Sequence, residues 1–284
     1  SPNKTGLRMN VTVSHIRSAL QECYPSREAA NLSRIVCCEM FGQSNIDYYL
    51  GKDMILSPND EKELESILSR LCNFEPIQYV QGTARFLGRT FRVAPGVLIP
   101  RPETEELVER MLKEVAPASR ILDIGTGSGC IAVTLSKELP EAEVTAWDIS
   151  GEALAIAGDN NRLLQASVQF VQRDVLMCQP VEDECFDVIV SNPPYVTETE
   201  MRDMEPNVLN WEPSGALFVP DSDPLRFYRR IGELGRSMLT AGGQLYFEIN
   251  RAFGEAVASM LRKQGYANVR IRKDISGNDR YVIA

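Results

Sequence analysis

The chain has 284 residues, 44% hydrophobic and 24% charged, the profile of a folded protein with material for one large core or two ordinary ones. Thirty Lys and Arg against 39 Asp and Glu give a net charge of −9, and His15 is the single histidine. One histidine excludes a two-His metal site and argues against Ser/His/Asp or Cys/His nucleophilic machinery, so no metal is expected and the chemistry must proceed without imidazole.

No apolar run approaches the ~20 residues that span a bilayer, and the first thirty residues lack the apolar core of a secretory signal. The seven cysteines form no C-x-x-C pair and read as buried thiols of a reducing compartment. A bacterial-type, cytoplasmic protein is expected, with no membrane partner.

Residues 1–80 read as a helical domain. His15 falls in an amphipathic stretch, and Ser26 precedes a run through Cys38 with Ala29, Leu32, Ile35 and Val36 apolar and Gly42 closing it. Ser57-Pro58 starts a further helix, with Asp60, Glu61 and Glu63 near its positive end and a buried stripe of Leu64, Ile67, Leu68 and Leu71. Residues 81–96 read as a linker, in which TARFLGRTFRV (83–93) alternates apolar and polar around Leu87-Gly88-Arg89 as a β-hairpin would.

From residue 97 to 284, β-rich runs alternate with helical ones. Strands are expected at 120–124, 143–148, 168–171, 186–191, 244–249, 269–272 and 280–283. Helices are expected at 103–115, 129–138, 151–164, 224–239 and 253–264. The alternation predicts an α/β fold with a largely parallel, doubly wound sheet, which binds ligands at the carboxyl ends of its strands. Net charge is −2 over residues 1–80, +3 over 81–96 and −10 over 97–284. Phosphate backbones reward clustered Lys and Arg, so direct binding of duplex DNA is not expected.

Asp123-Ile124-Gly125-Thr126-Gly127-Ser128-Gly129 follows the first strand of that sheet and opens a helix. Glycines there let the backbone turn tightly and approach a nucleotide. A dinucleotide fingerprint would need a third glycine where Cys130 stands. The G-x-G-x-G spacing behind an acid instead resembles motif I of S-adenosylmethionine-dependent methyltransferases. Asp148 ends the next strand, where a carboxylate either accepts from both ribose hydroxyls or caps the following helix. Asp174 ends the third, where an acid can receive an adenine amino group.

After the fourth strand comes Ser191-Asn192-Pro193-Pro194-Tyr195. Two prolines lack N–H groups and fix φ, so they make a stiff exit from the sheet. Asn192 offers a side-chain acceptor, Pro193 a main-chain acceptor and Tyr195 an aromatic face. Two acceptors and a ring suit a planar –NH₂ group. Holding both N–H bonds aims the nitrogen lone pair at a methyl donor, and the acceptors stabilise the charge that develops on nitrogen. Asn192, Pro193, Pro194 and Tyr195 are therefore the candidate catalytic residues.

The chain resembles the release factor glutamine methyltransferases. The likeness runs through EPIQYVQGTARFLGRTFRVAPGVLIPRPETEELVE (75–109), ILDIGTGSGCIAVTLS (121–136), WDIS (147–150), FDVIVSNPPYV (186–196), WEPSGAL (211–217) and DISGNDRYV (274–282). The Asn-Pro-Pro-Tyr motif is shared with amine methyltransferases of nucleic acids, whereas LIPRPETE (98–105) is more particular to this family. The resemblance implies a seven-stranded, Rossmann-like methyltransferase sheet preceded by a helical domain that helps to dock the substrate. It implies N5-methylation of the glutamine in the Gly-Gly-Gln loop of class I peptide chain release factors, with S-adenosylmethionine consumed and S-adenosylhomocysteine released.

On this resemblance Gly125, Thr126, Gly127, Ser128, Gly129, Asp148, Asp174, Val175 and Asn192 would line the cofactor pocket. Val175 stands where relatives often carry an aromatic. Arg101, Glu103 and Glu105 would shape the active-site rim, although Glu105 also suits a first-turn helix acid. In Phe247-Glu248-Ile249-Asn250 many relatives have glycine at the fourth position, which is expected to lie outside the methyl-transfer centre. The alternatives are an N6-adenine or exocyclic-amine nucleic-acid methyltransferase, a binding module without turnover, and a nicotinamide dehydrogenase. The first predicts a basic groove that the −10 segment does not offer.

Overall fold

A computed structural model of the chain describes residues 9–180 and 183–284. The first eight residues of the expected helical domain lie outside the described residues. Two compact units divide between Gly82 and Thr83, and among the described residues no helix is long and apolar enough to cross a membrane.

The smaller unit is built on helices Val13–Gln21, Ser26–Arg34, Asn45–Tyr49, Pro58–Cys72 and Ile77–Gln81. The Thr12 hydroxyl caps the first by accepting from the His15 N–H at 3.0 Å, and Ser57 caps the fourth through the Asp60 N–H at 3.1 Å. His15 itself is exposed. Leu64, Ile67 and Leu71 are buried as their spacing requires, while Leu68 packs half-buried at the edge of the same cluster. Two short strands, Met9–Val11 and Met54–Leu56, pair antiparallel beside the helices. Three residues are too few to show a period, which is why the pattern reads as wholly helical.

The ends of the first and fourth helices bring Cys23 and Cys72 together as a disulfide, with Cα atoms 5.5 Å apart. This corrects the expectation of seven free thiols. Helix packing brings together two cysteines 49 residues apart. Cys37, Cys38, Cys130, Cys178 and Cys185 are free.

The larger unit opens with the hairpin, Thr83–Phe86 paired to Arg89–Arg92. Phe86 and Phe91 are fully buried in the core of this unit, which ties the hairpin to it. The sheet that follows has strands β1 Arg120–Ile124, β2 Glu143–Asp148, β3 Gln169–Gln172, β4 Phe186–Ser191, β5 Leu239–Glu248, β6 Arg270–Lys273 and β7 Asp279–Ile283. Its order is β3-β2-β1-β4-β5-β7-β6, parallel except that β7 runs antiparallel to both neighbours. The unit's helices include α1 Pro102–Glu114, α2 Cys130–Glu138, α3 Gly151–Leu163, α4 Arg226–Met238 and α5 Gly254–Lys263.

Strand β4 shows how the sheet is buried on both faces. Val188 and Val190 join a cluster with Leu107 and Met111 of α1 and Val133 and Leu135 of α2. Ile189 points the other way, into a cluster with Tyr228 and Ile231 of α4 and Val257 and Leu261 of α5. Between β4 and α4 lies a segment without strong periodicity, in which Val196–Thr197 pairs parallel with Phe218–Val219.

Register sets the edge where chemistry can occur. Ile124 stands opposite Trp147 on one side and Ser191 on the other. The residues that follow, Gly125, Asp148 and Asn192, therefore leave the sheet at one level.

Ile189 is completely buried at the centre of β4. Ile189→Ala is expected to destabilise the larger unit by about 2–5 kcal/mol, read as a lower urea midpoint with an unchanged slope.

Candidate active site

A cavity of about 500 Å³ lies along that edge. Gly125, Thr126, Gly127 and Ser128 form part of its wall, with Asp148, Asp174, Val175, Asn192, Pro193 and Pro194. The glycine loop is tied down by the Trp147 carbonyl, which accepts from the Gly125 and Thr126 N–H groups at 2.8 and 2.9 Å. Gly125 and Gly127 have φ of +78° and +55°, and a Cβ on either would meet nothing within 4 Å. Their backbone is thus exposed to a ligand without side-chain obstruction.

Gly129 does something else. It is not part of the cavity wall; its φ is +83°, and a Cβ there would sit 3.1 Å from the Ala157 Cβ of α3. It turns the chain into α2 and lets two helices approach. Cys130 follows it, with burial pushing its thiol up to about 12, so it stays neutral.

The Asp148 carboxylate accepts from the Gly127 N–H and the Ser150 N–H, both at 2.9 Å. The cap of α3 is Ser150, whose hydroxyl accepts from the Ala153 N–H at 3.2 Å. Asp148 is therefore not the helix cap, and it faces the cavity. Asp174 closes its own turn by accepting from the Leu176 N–H at 2.9 Å.

The Asn-Pro-Pro-Tyr segment is held from several directions. The Ser191 hydroxyl donates to the Ile124 carbonyl at 2.7 Å, and the Tyr195 and Val196 N–H groups donate to the Leu217 carbonyl at 3.1 and 2.8 Å. Asn192 is half-buried and points its Nδ2 at Thr104 Oγ1, 3.5 Å away. Tyr195 is not part of the cavity wall, and its hydroxyl donates to Glu248 Oε2 at 2.9 Å. Asn250, expected outside this centre, reaches it: Nδ2 donates to the Tyr195 carbonyl at 3.0 Å and to Glu200 Oε1 at 2.8 Å. An amide at that position braces the motif where glycine could not.

Two buried carboxylates to which the sequence assigns no role organise the rim. Glu212 is gripped by both terminal nitrogens of Arg101 and also accepts from the Ile99 N–H at 2.8 Å. Glu248, at the end of β5, accepts from the Thr104 hydroxyl at 2.6 Å as well as from Tyr195. Burial pushes its carboxyl up, opposed by the hydrogen bonds from Thr104 and Tyr195 and by the Arg280 charge. The available signal was one charged residue closing the apolar run Leu245-Tyr246-Phe247. Of the three residues expected at the rim, only Arg101 lines the cavity. Glu105 accepts from the Leu87 N–H at 2.7 Å and so fastens the hairpin turn, and the Glu103 carbonyl accepts from the Tyr281 hydroxyl at 2.6 Å.

Comparison with known proteins agrees with this architecture. The family described as PrmC N-terminal domain matches residues 12–82, and the methyltransferase small domain family matches residues 102–209. A release factor glutamine methyltransferase of Bacteroides thetaiotaomicron is 57% identical over 97% of this chain and 99% of its own length. One from Flavobacterium psychrophilum is 42% identical over 93% and 94%. Among solved structures, a methyltransferase from Pyrococcus furiosus shares the fold with a TM-score of 0.53 at 17% identity, covering 79% of this chain and 96% of that one.

Asp123, beneath the glycine loop, is completely buried, and its carboxyl is raised to about 7 by burial and by the Asp148 charge, against a hydrogen bond from Thr126 at 2.8 Å. The folded chain thus holds a proton that the unfolded chain releases near pH 4. Stability from this group is present at low pH and is lost as pH rises through about 4 to 7. Asp123→Asn is expected to flatten that part of the profile, checked by urea unfolding of both proteins between pH 5 and 8.

Proposed function

The chain belongs to the release factor glutamine methyltransferase family, and on that premise we propose that its cavity joins S-adenosylmethionine to the glutamine side-chain amide of a class I peptide chain release factor. The observation that carries this reading is the shared register that delivers Gly125, Asp148 and Asn192 to one cavity. The reaction is N5-methylation of the glutamine in the release factor's Gly-Gly-Gln loop, in which the N–CH3 bond forms as the S–CH3 bond breaks, with S-adenosylhomocysteine and a proton released to solvent as the other products. The enzyme is a protein methyltransferase, and its working compartment is the bacterial cytoplasm.

The residues present fit the cofactor. Each Asp148 oxygen accepts one backbone N–H and keeps a lone pair for a ribose hydroxyl. The open backbone at Gly125 and Gly127, with Thr126 and Ser128, takes the part of the cofactor next to the loop, and Asp174 with Val175 takes the adenine. Gly129 contributes by shaping the turn. When bound, the cofactor supplies an electrophilic methyl on a sulfonium.

The protein's part in the transfer is alignment. An amide nitrogen is a poor nucleophile because its lone pair is delocalised. Asn192 Oδ1 and the Pro193 carbonyl accept its two N–H bonds and direct the lone pair. Their negative dipoles stabilise the positive charge that grows on nitrogen. Pro194 stiffens the exit, and Tyr195, anchored by its hydroxyl on Glu248 behind the cavity wall, holds the end of the motif in place. No titrating base is needed, in keeping with a chain whose one histidine is exposed in the other unit. The helical unit docks the release factor.

Incubation with labelled S-adenosylmethionine and either a release factor or nucleic acid tests the reading; label is expected in the release factor, and label only in nucleic acid would overturn it. Asn192→Ala is expected to slow methyl transfer ~10²-fold or more, while calorimetric affinity for S-adenosylhomocysteine changes little.

A further inference from the structure

We propose that Glu248 is a positioning residue for methyl transfer: its two carboxylate oxygens fix the hydrogen-bond direction of Thr104 and Tyr195, and through Thr104 they dictate which end of the Asn192 amide meets the substrate. The inference rests on the reading that Asn192 receives the glutamine amide.

Glu248 is 1% exposed and sits at the end of β5, beside β4, which leads into the motif. It lies 144 residues from Thr104 and 53 from Tyr195 in the chain. One oxygen accepts from Thr104 Oγ1 at 2.6 Å and the other from the Tyr195 hydroxyl at 2.9 Å. A further hydroxyl, from Tyr228, donates to the Glu248 main-chain carbonyl at 2.8 Å and holds the backbone still. Neither carboxylate oxygen touches the cavity, so the carboxylate acts only through the two side chains that bind it.

The direction of these bonds matters more than their number. Both hydroxyls donate to Glu248, one to each oxygen, so the carboxyl group acts as the acceptor of both bonds. Thr104 has one proton, and Glu248 takes it. What Thr104 Oγ1 offers to its other neighbour is a lone pair, and the neighbour is the Asn192 side chain, 3.5 Å away. Only the Nδ2 end of that amide can meet a lone pair favourably. The flipped amide would set Oδ1 against Oγ1, two acceptors facing each other. Asn192 is therefore held with Nδ2 towards α1, which leaves Oδ1 for the substrate N–H. An unbraced amide would sample both orientations, and one of them presents a donor to a donor. Tyr195 is fixed by the same carboxyl group, so one buried side chain sets both polar side chains of the motif.

The test uses the full chain with a release factor and S-adenosylmethionine. Thr104→Val removes the hydroxyl while keeping the branched shape; Thr104→Ser keeps the hydroxyl. The valine variant is expected to lower kcat ~10²-fold, the scale of misplacing a reacting group, with KM for the release factor and calorimetric affinity for S-adenosylhomocysteine within about twofold, since valine keeps the branched shape that Thr104 gives the cavity wall. Thr104→Ser is expected to restore most of the rate. Glu248→Gln, which offers a donor to one of two donating hydroxyls, is expected to lower kcat in the same way. Should that variant fail to fold, the valine–serine pair decides. A valine variant with unaltered kcat, or equal losses in the valine and serine variants, would overturn the proposal while the function stands. A wild-type chain that methylates no release factor would overturn the function and the proposal with it.

Discussion

Parallel pairing of β1 with β2 on one side and β4 on the other is the constraint from which the rest of the larger unit follows. Because Ile124 stands level with both Trp147 and Ser191, three loops leave the sheet at the same height. Polar bonds then lock that coincidence. The Trp147 carbonyl receives two N–H groups from the glycine loop, and the Ser191 hydroxyl reaches the Ile124 carbonyl. A slip of one residue in either pairing would turn every side chain of a strand to the opposite face. The alternating clusters around Val188, Ile189 and Val190 make such a slip costly. The site is precise because the core beneath it is.

A second level of order comes from buried carboxylates. A charge taken out of water must be paired and hydrogen-bonded, and breaking one partner away costs several kcal/mol. Glu212 and Glu248 meet this demand with groups far away in the chain. Glu212 ties the segment before α1 to the irregular segment between β4 and α4 through Ile99 and Arg101. Glu248 ties α1 and the Asn-Pro-Pro-Tyr turn to β5. The regular elements of that segment are short, and such anchors give it a definite path. Asn250 and Leu217 do the same for the backbone of Tyr195.

Much of the fold was legible in the sequence because burial leaves a period. Strands β1, β2 and β4 were expected at the residues where they occur, each an apolar run bounded by turn residues. The longer helices of both units declared themselves by apolar spacing and by caps such as Ser57, whereas the short ones at Asn45–Tyr49, Ile77–Gln81 and Pro206–Trp211 did not. What escaped had no period to show: the three-residue strands of the smaller unit, the two-residue pair at Val196 and Phe218, and the early start of β5 at Leu239, where the register with β4 is irregular. The disulfide between Cys23 and Cys72 escaped for a different reason, since spacing along the chain says nothing of which helix ends meet.

For the site itself, the sequence by itself determined the chemistry on offer: acceptors at Asn192 and Pro193, open backbone at Gly125 and Gly127, a carboxylate at Asp148 and no imidazole among them. These are properties of residue types in local order, and local order survives without a fold. Tertiary structure decided how each was used. It gave Gly129 to helix packing, Glu105 to the hairpin turn and the cap of α3 to Ser150, leaving Asp148 to the cavity. It also placed Thr104, Glu248 and Asn250 behind the motif, where no neighbour in sequence announces them. A hydrogen bond is short-ranged and directional, so its partner is settled only when the chain has closed on itself.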